Sequence, residues 1–238
     1  MSSNSKAVVG VDACPAGWFA TILDDDSIST AVFDEFENLC TTYDATRILV
    51  DIPIGYPTEA RRRCDLAARE ELGSRGNSVF FPPCQSALDC EDYEAANAKH
   101  RNQLGNGLSR QAYSIGDKIR EVNRVVGQEY DSTIRESHPE LCFAELNGQP
   151  IAYSKSSQRG QGLRMKLLSD ALDTPRRHYN EACTDYYRKD VRRDDILDSM
   201  VLATAAQKEL TTIPAKPASD EPRIYYPDFD VDIEEWEE

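Results

Sequence analysis

Two short apolar runs, each rich in β-branched residues and each ended by an aspartate, constrain this chain more than any other feature. Ala7-Val8-Val9-Gly10-Val11 runs into Asp12, and Ile48-Leu49-Val50 runs into Asp51. Such runs read as strands buried on both faces inside a sheet. The residue that follows is delivered to the sheet's edge, and burying a carboxylate there is costly unless it is paired or metal-bound. Each Asp also fits a turn in which its side chain accepts backbone N–H bonds, ahead of Pro15 and Gly17 or of Pro53.

Two further acidic segments lie downstream, Glu136-Ser137-His138-Pro139-Glu140 and Asp194-Asp195-Ile196-Leu197-Asp198. The second opens a nearly all-apolar helix. Asp195 and Asp198 are three residues apart, so a helix places them on one face, where they can chelate one ion. Asp194 reads as an N-cap, and acids in a first turn complement the helix dipole. That accounts for Asp194 and largely for Asp195. It accounts less well for Asp198, enclosed by Leu197, Val201, Leu202 and Ala205. A cation shared with Asp12 and Asp51 is the economical partner, because hard divalent ions prefer oxygen ligands. His138 reads as a general acid or base, as a group that orients water, or as a structural His bonded to backbone.

The order of elements follows from periodicity and breakers. Strands are expected at 6–11, 17–23 and 27–33, then a short helix capped by Asp34 and a fourth strand at 47–50. Helices follow at 58–72, 91–103 and 109–126, and a fifth strand at 132–137. Helices at 163–172, 177–186 and 195–210 complete the chain, with one further strand at 223–226. This is the order of an α/β ribonuclease H-like fold, a mixed sheet with helices on both faces. The expected domain is 1–226, with a helical insertion at about 58–128 between strands four and five, and 227–238 is an acidic tail.

Charge narrows the function. The net charge is −15, from 42 acidic against 27 basic residues, and Arg outnumbers Lys 19 to 8. Acidity of this kind suits a salt-adapted surface. It also argues against tight non-specific binding of nucleic acid, which depends on basic residues releasing counterions from phosphates. A nucleic-acid role would need local patches such as Arg61-Arg62-Arg63, Arg69 with Arg75, or Arg159 in the polar turn Arg159-Gly160-Gln161-Gly162. The seven cysteines include no C-x-x-C pair and read as reduced thiols. With no secretory signal and no apolar run long enough to span a membrane, a cytoplasmic location without membrane partners is expected. The oligomeric state is not legible. No Ser–His–Asp set and no phosphate-binding P-loop is present.

Several motifs resemble, in order, those of domain of unknown function family 429. They begin with Val9-Gly10-Val11-Asp12, Gly17-Trp18 and Asp51-Ile52-Pro53-Ile54-Gly55. Next come Arg63 with Asp65, Ala68-Arg69, Leu72-Gly73-Ser74-Arg75, Ser78-Val79-Phe80, Lys118-Ile119 and Glu121-Val122. His138-Pro139-Glu140 with Phe143, and Asp194-Asp195-Ile196-Leu197-Asp198, complete the series. The chain departs from the family pattern at Tyr56 and Ser199, where Leu and Ala are usual.

The family is described as predicted nucleases of the ribonuclease H fold. The resemblance implies that Asp12, Asp51, Asp195 and Asp198 hold metal, with Glu136, His138 and Glu140 as pocket residues. It also implies that Gln111, Lys118 and Glu121 line the cleft, while Arg75, Lys118 or Arg159 would hold phosphates. The expected activity is phosphodiester hydrolysis of DNA or RNA with two Mg²⁺ or Mn²⁺ ions about 4 Å apart. Two other classes fit the same residues: an enzyme for nucleotides or small phosphoesters, and a catalytically silent binding module.

Overall fold

Side chains alternate across a strand, and that alternation sorts the first strand between two cores. The computed structural model describes residues 7–24, 27–127, 129–130 and 132–228. In β1 (Val8–Cys14), Val8 and Cys14 pack into one core, while Val9 and Val11 pack into the other. Strands β2 (Gly17–Leu23) and β3 (Ile28–Phe33) continue from β1 as an antiparallel meander. After α1 (Phe36–Thr42), β4 (Arg47–Val50) returns parallel to β1 on its other side, and β5 (Ile134–Glu136) adds parallel to β4. The order β3-β2-β1-β4-β5, antiparallel on one side of β1 and parallel on the other, is the ribonuclease H-like arrangement.

Helices cover both faces. One face carries α10 (Arg193–Ala206), in which every residue from Asp195 to Ala206 is buried. The helices α7 (Pro139–Asn147), α8 (Gln158–Ala171) and α9 (Pro175–Asp185) pack around it. A helix apolar on all sides makes sense only in that sandwiched position. The other face packs against α1 and α6 (Gly116–Val126). Between β4 and β5 lie α2 (Arg63–Glu71), a 3-10 turn (Gly73–Ser78), α3 (Gln85–Leu88), α4 (Tyr93–Leu104), α5 (Arg110–Ser114) and α6. Beyond α10, β6 (Leu210–Ile213) and β7 (Ile224–Pro227) form an antiparallel pair, and Ser137 bridges to Tyr225 of β7.

Gly10 sets the distance between sheet and helix. A Cβ there would run into the backbone of Ser199 and Ala203, so α10 lies directly on β1. Ser199, one of the departures from the family pattern, shares a buried 2.7 Å hydrogen bond with Thr21 of β2. Gly10→Ala is therefore expected to push α10 off the sheet, at a cost of roughly 1–3 kcal/mol from overpacking. A lower denaturant midpoint at unchanged slope would show it.

The helix boundaries depart from the sequence reading where tertiary contacts override local preference. The first insertion helix begins at Arg63 rather than Thr58, because Arg62 is extended and buried in an ion-pair network. The helix expected over 109–126 breaks at Ile115, where Gly116 packs against Leu88. Residues 159–162, which read as a polar turn in sequence, are the first turn of α8, and Gly160 allows it to pack on the Ser154 carbonyl. Helix α7 is absent from the expected order, although Pro139 at its start and Gly148 in a left-handed C-cap are ordinary boundary signals. Helix α10 ends at Ala206, and Leu210 belongs to β6. Of the acidic tail, residues 229–238 lie outside the described residues.

Candidate metal centre

Alternation and register together bring the first two aspartates to one place. The parallel pairing of β1 with β4 ends at Val11 opposite Val50, and the Asp51 amide donates to the Val11 carbonyl at 3.0 Å. Asp12 and Asp51 are the next residues on each strand. They stand two positions beyond Gly10 and Leu49, the residues that face α10. Strand β1 itself continues to Cys14 against β2, so Asp12 lies inside β1 at the point where β4 stops. Asp198 descends from α10 onto the same spot. One carboxylate oxygen from each of Asp12, Asp51 and Asp198 lies within 4.8 Å of the others.

The cluster is electrostatically unsatisfied. Asp198 is 1 % exposed, and its Oδ1 is buried without a hydrogen-bond partner. Among the described residues no hydrogen bond reaches the carboxylates of Asp12 or Asp51. Burial, then the charges of Asp51 and Asp198, push the Asp12 carboxyl well above its ordinary value. Burial raises Asp51 as well, against the pull of His138 and Lys155. Asp198 is pushed up to about 6 by burial despite the ammonium beside it. Two buried carboxylates, a half-buried third and a free oxygen form a donor set of the hard-oxygen type, which fits a divalent cation.

Lys155 is the residue that sequence reasoning missed. Its Nζ lies 2.6 Å from Asp198 Oδ2 and 3.7 Å from Asp194. It sits on a tight turn before α8, where the Ser157 amide and hydroxyl both donate to the Ser154 carbonyl, at 3.0 and 2.7 Å. Arg164, fully buried, ties that turn to α7. It donates to the Tyr153 carbonyl at 3.3 Å and to both Glu140 oxygens at 2.6 and 2.8 Å. The local sequence, one lysine among serines, carries no signal of this role.

The other expected site residues divide between the cleft and elsewhere. Asp195 Oδ2 accepts from the Arg192 amide at 2.8 Å at the start of α10, and the N-cap position belongs to Arg192, not Asp194. Glu140 is committed to Arg164, with Arg75 at 4.0 Å. Glu136 pairs with Val50 across β5 and faces away from α10, where it binds Arg62 at 2.7 Å and the Ile54 amide. Glu121 accepts from Trp18 Nε1 at 3.1 Å, and Lys118 stacks over the same indole, on the far face of the sheet. Arg159 stacks on Tyr153 outside the cleft.

Beside the carboxylates lies a cavity of about 200 Å³, walled by His138 and Lys155 and roofed by Arg75 and Gln111 from the insertion. Two larger surface hollows, of about 590 and 560 Å³, lie away from the carboxylates. His138 caps α7, its Nδ1 accepting from the Glu140 amide at 3.2 Å. With that lone pair engaged, the neutral ring carries its proton on Nε2 and presents a donor.

A pH dependence follows. Burial pushes both Asp195 and Asp198 up to about 6. A carboxyl raised in the fold favours the native state below its unfolded value, and this stabilisation is lost as pH rises through the folded value. The ion-free protein is therefore expected to lose stability from about pH 4 to pH 6, where protonated Asp198 becomes charged. Metal binding runs the other way, since a ligand must be deprotonated. Mn²⁺ affinity by calorimetry should fall about tenfold from pH 7 to pH 5 for one such proton.

No curated protein and no solved structure matches this chain. One family model does, over residues 10–219, which takes in β1 from Gly10, the insertion, Lys155 and all of α10. The three clustered aspartates and nearly the whole fold lie inside that match, and the chain belongs to the family described as protein of unknown function (DUF429).

Proposed function

We propose that the protein is a divalent-metal-dependent phosphodiesterase that hydrolyses DNA or RNA. The observation that carries this reading is the trio Asp12, Asp51 and Asp198, two buried and one half-buried, brought together with an unpartnered oxygen where β4 of a ribonuclease H-like sheet ends. Mg²⁺ or Mn²⁺ held there would polarise a phosphoryl oxygen and make bound water a nucleophile near neutral pH. The chain's own residues supply the remainder. Arg75 and the Nε2–H of His138 are placed to hydrogen-bond phosphate oxygens in the cleft. His138 serves as a donor and not as the base, because its Nδ1 is spent on the α7 cap. Arg75 offsets charge that a phosphate brings to an acidic protein.

The size of the cavity favours a second reading beside the first. A space of about 200 Å³ under the insertion suits one phosphate and its immediate neighbours better than a duplex, which points to single-stranded ends or a small phosphodiester. Labelled single-stranded DNA, duplex DNA, RNA and a chromogenic phosphodiester, each with Mn²⁺, Mg²⁺ or chelator, separate these readings. Chelator-sensitive cleavage of any substrate supports the metal mechanism. Turnover of the small diester alone selects the second reading, and no turnover in any metal leaves the fold as a binding module.

A further inference from the structure

The side chains around the carboxylate centre include one whose position is itself that of a cation. We propose that Lys155 is a resident cation of the centre, so that the site takes a single divalent ion where three acidic ligands alone would accept two. This rests on the metal-centre reading above and sets its ion count.

The argument is one of charge and lone pairs. Asp12, Asp51 and Asp198 carry three negative charges when ionised, and burial makes uncompensated charge there costly. The ammonium of Lys155 offsets one of them, and one divalent ion offsets the remaining two. Asp198 divides its oxygens accordingly. Oδ2 is 2.6 Å from Lys155 Nζ, whereas Oδ1 is buried with no partner and open to a second cation.

The backbone that carries the lysine is also held in place. The Ser154–Ser157 turn is closed by its own hydrogen bonds and braced through Arg164 to Glu140, and Asp194 lies 3.7 Å from the ammonium. Asp195 lies outside the trio that converges on one spot, and its Oδ2 accepts from the Arg192 amide at the start of α10. What remains is a three-carboxylate site for one ion with a fixed ammonium at its side.

Calorimetric titration of Mn²⁺ in constant monovalent salt tests this without any substrate. Wild type should bind one ion per chain, and Lys155→Arg should keep that stoichiometry. Lys155→Met, which keeps the length and removes the charge, should either take up a second ion or bind the first at least about tenfold more tightly, since a repelling charge a few ångströms away is gone. Two ions bound by wild type would overturn the assignment and leave the metal centre standing. So would a Lys155→Met variant unchanged in both stoichiometry and affinity. Wild type that binds no ion, with the fold intact by circular dichroism, would overturn the metal centre and this assignment together.

Discussion

Asp12→Asn is expected to lower divalent-dependent phosphodiester cleavage by a factor of about 10²–10³ while making the ion-free protein more stable. Asp12 lies where the β1–β4 ladder ends, facing Asp51 and Asp198, and no hydrogen bond among the described residues reaches its carboxylate. Its contribution is a negative oxygen ligand, and an amide oxygen is a far weaker one for a hard cation. Electrostatic groups of this kind are commonly worth two to three powers of ten in rate. Without an ion, however, the carboxylate is a liability, since burial and two neighbouring acids raise it well above its ordinary value. Removing the charge should stabilise the ion-free fold near neutral pH, because the folded chain then no longer has to hold an ionised carboxylate in a buried, acidic setting. The pair of effects is diagnostic. Melting curves with and without Mn²⁺, set beside a cleavage assay, should show a higher ion-free melting temperature, a smaller gain from Mn²⁺ and the lowered activity. A variant that melts lower in the absence of metal would assign Asp12 a structural role instead.

Arg62→Ala should be the most destabilising single change, at about 3–5 kcal/mol. Arg62 is buried and binds both Asp65 and Glu136, the latter through two contacts of 2.8 and 2.7 Å. It also donates to the carbonyls of Ile54 and Gly55, and the Ile54 amide donates to Glu136 at 2.7 Å. Losing the guanidinium strands two buried carboxylates with no other cation in contact among the described residues, which is the costly way to break a buried pair. A domain of this kind has only about 5–15 kcal/mol of total stability. The variant should therefore unfold at a much lower urea concentration, and a substantial fraction should be unfolded or aggregated at 37 °C. The same network holds the loop just after Asp51, so Mn²⁺ affinity should fall in the fraction that folds. Asp65→Asn, which removes one of the two acids and leaves Arg62 paired with Glu136, should cost markedly less; an equal loss would point to packing as the source of the effect.

The two predictions separate what is visible in the linear chain from what is not. The metal trio is legible because an aspartate straight after an apolar run, or enclosed by apolar residues on a helix, is anomalous in its own neighbourhood. Asp12, Asp51 and Asp198 each carry that local anomaly, and the structure brings these three together. Glu136 looks equivalent in sequence. The difference is parity: across the parallel β4–β5 register it pairs with Val50, which packs in the core away from α10, so its side chain points to the opposite face. A strand's period of two makes a one-residue difference decisive. The expected cleft positions of Lys118 and Glu121 fail for a related reason, since their helix packs on the face of the sheet away from α10.

The sequence by itself determined the order of the first five strands, the mixed sheet and the anomalous aspartates, because hydrophobic period and turn residues are local properties of the chain. Only the tertiary structure decided that Arg62 and Arg164 are buried struts, that Asp195 accepts from the Arg192 amide, and that Lys155 is the counter-charge of Asp198. A basic residue's partner is chosen by distance in space and by the exclusion of water around it. Lys155 and Asp198 are 43 residues apart in the chain, and neither neighbourhood names the other.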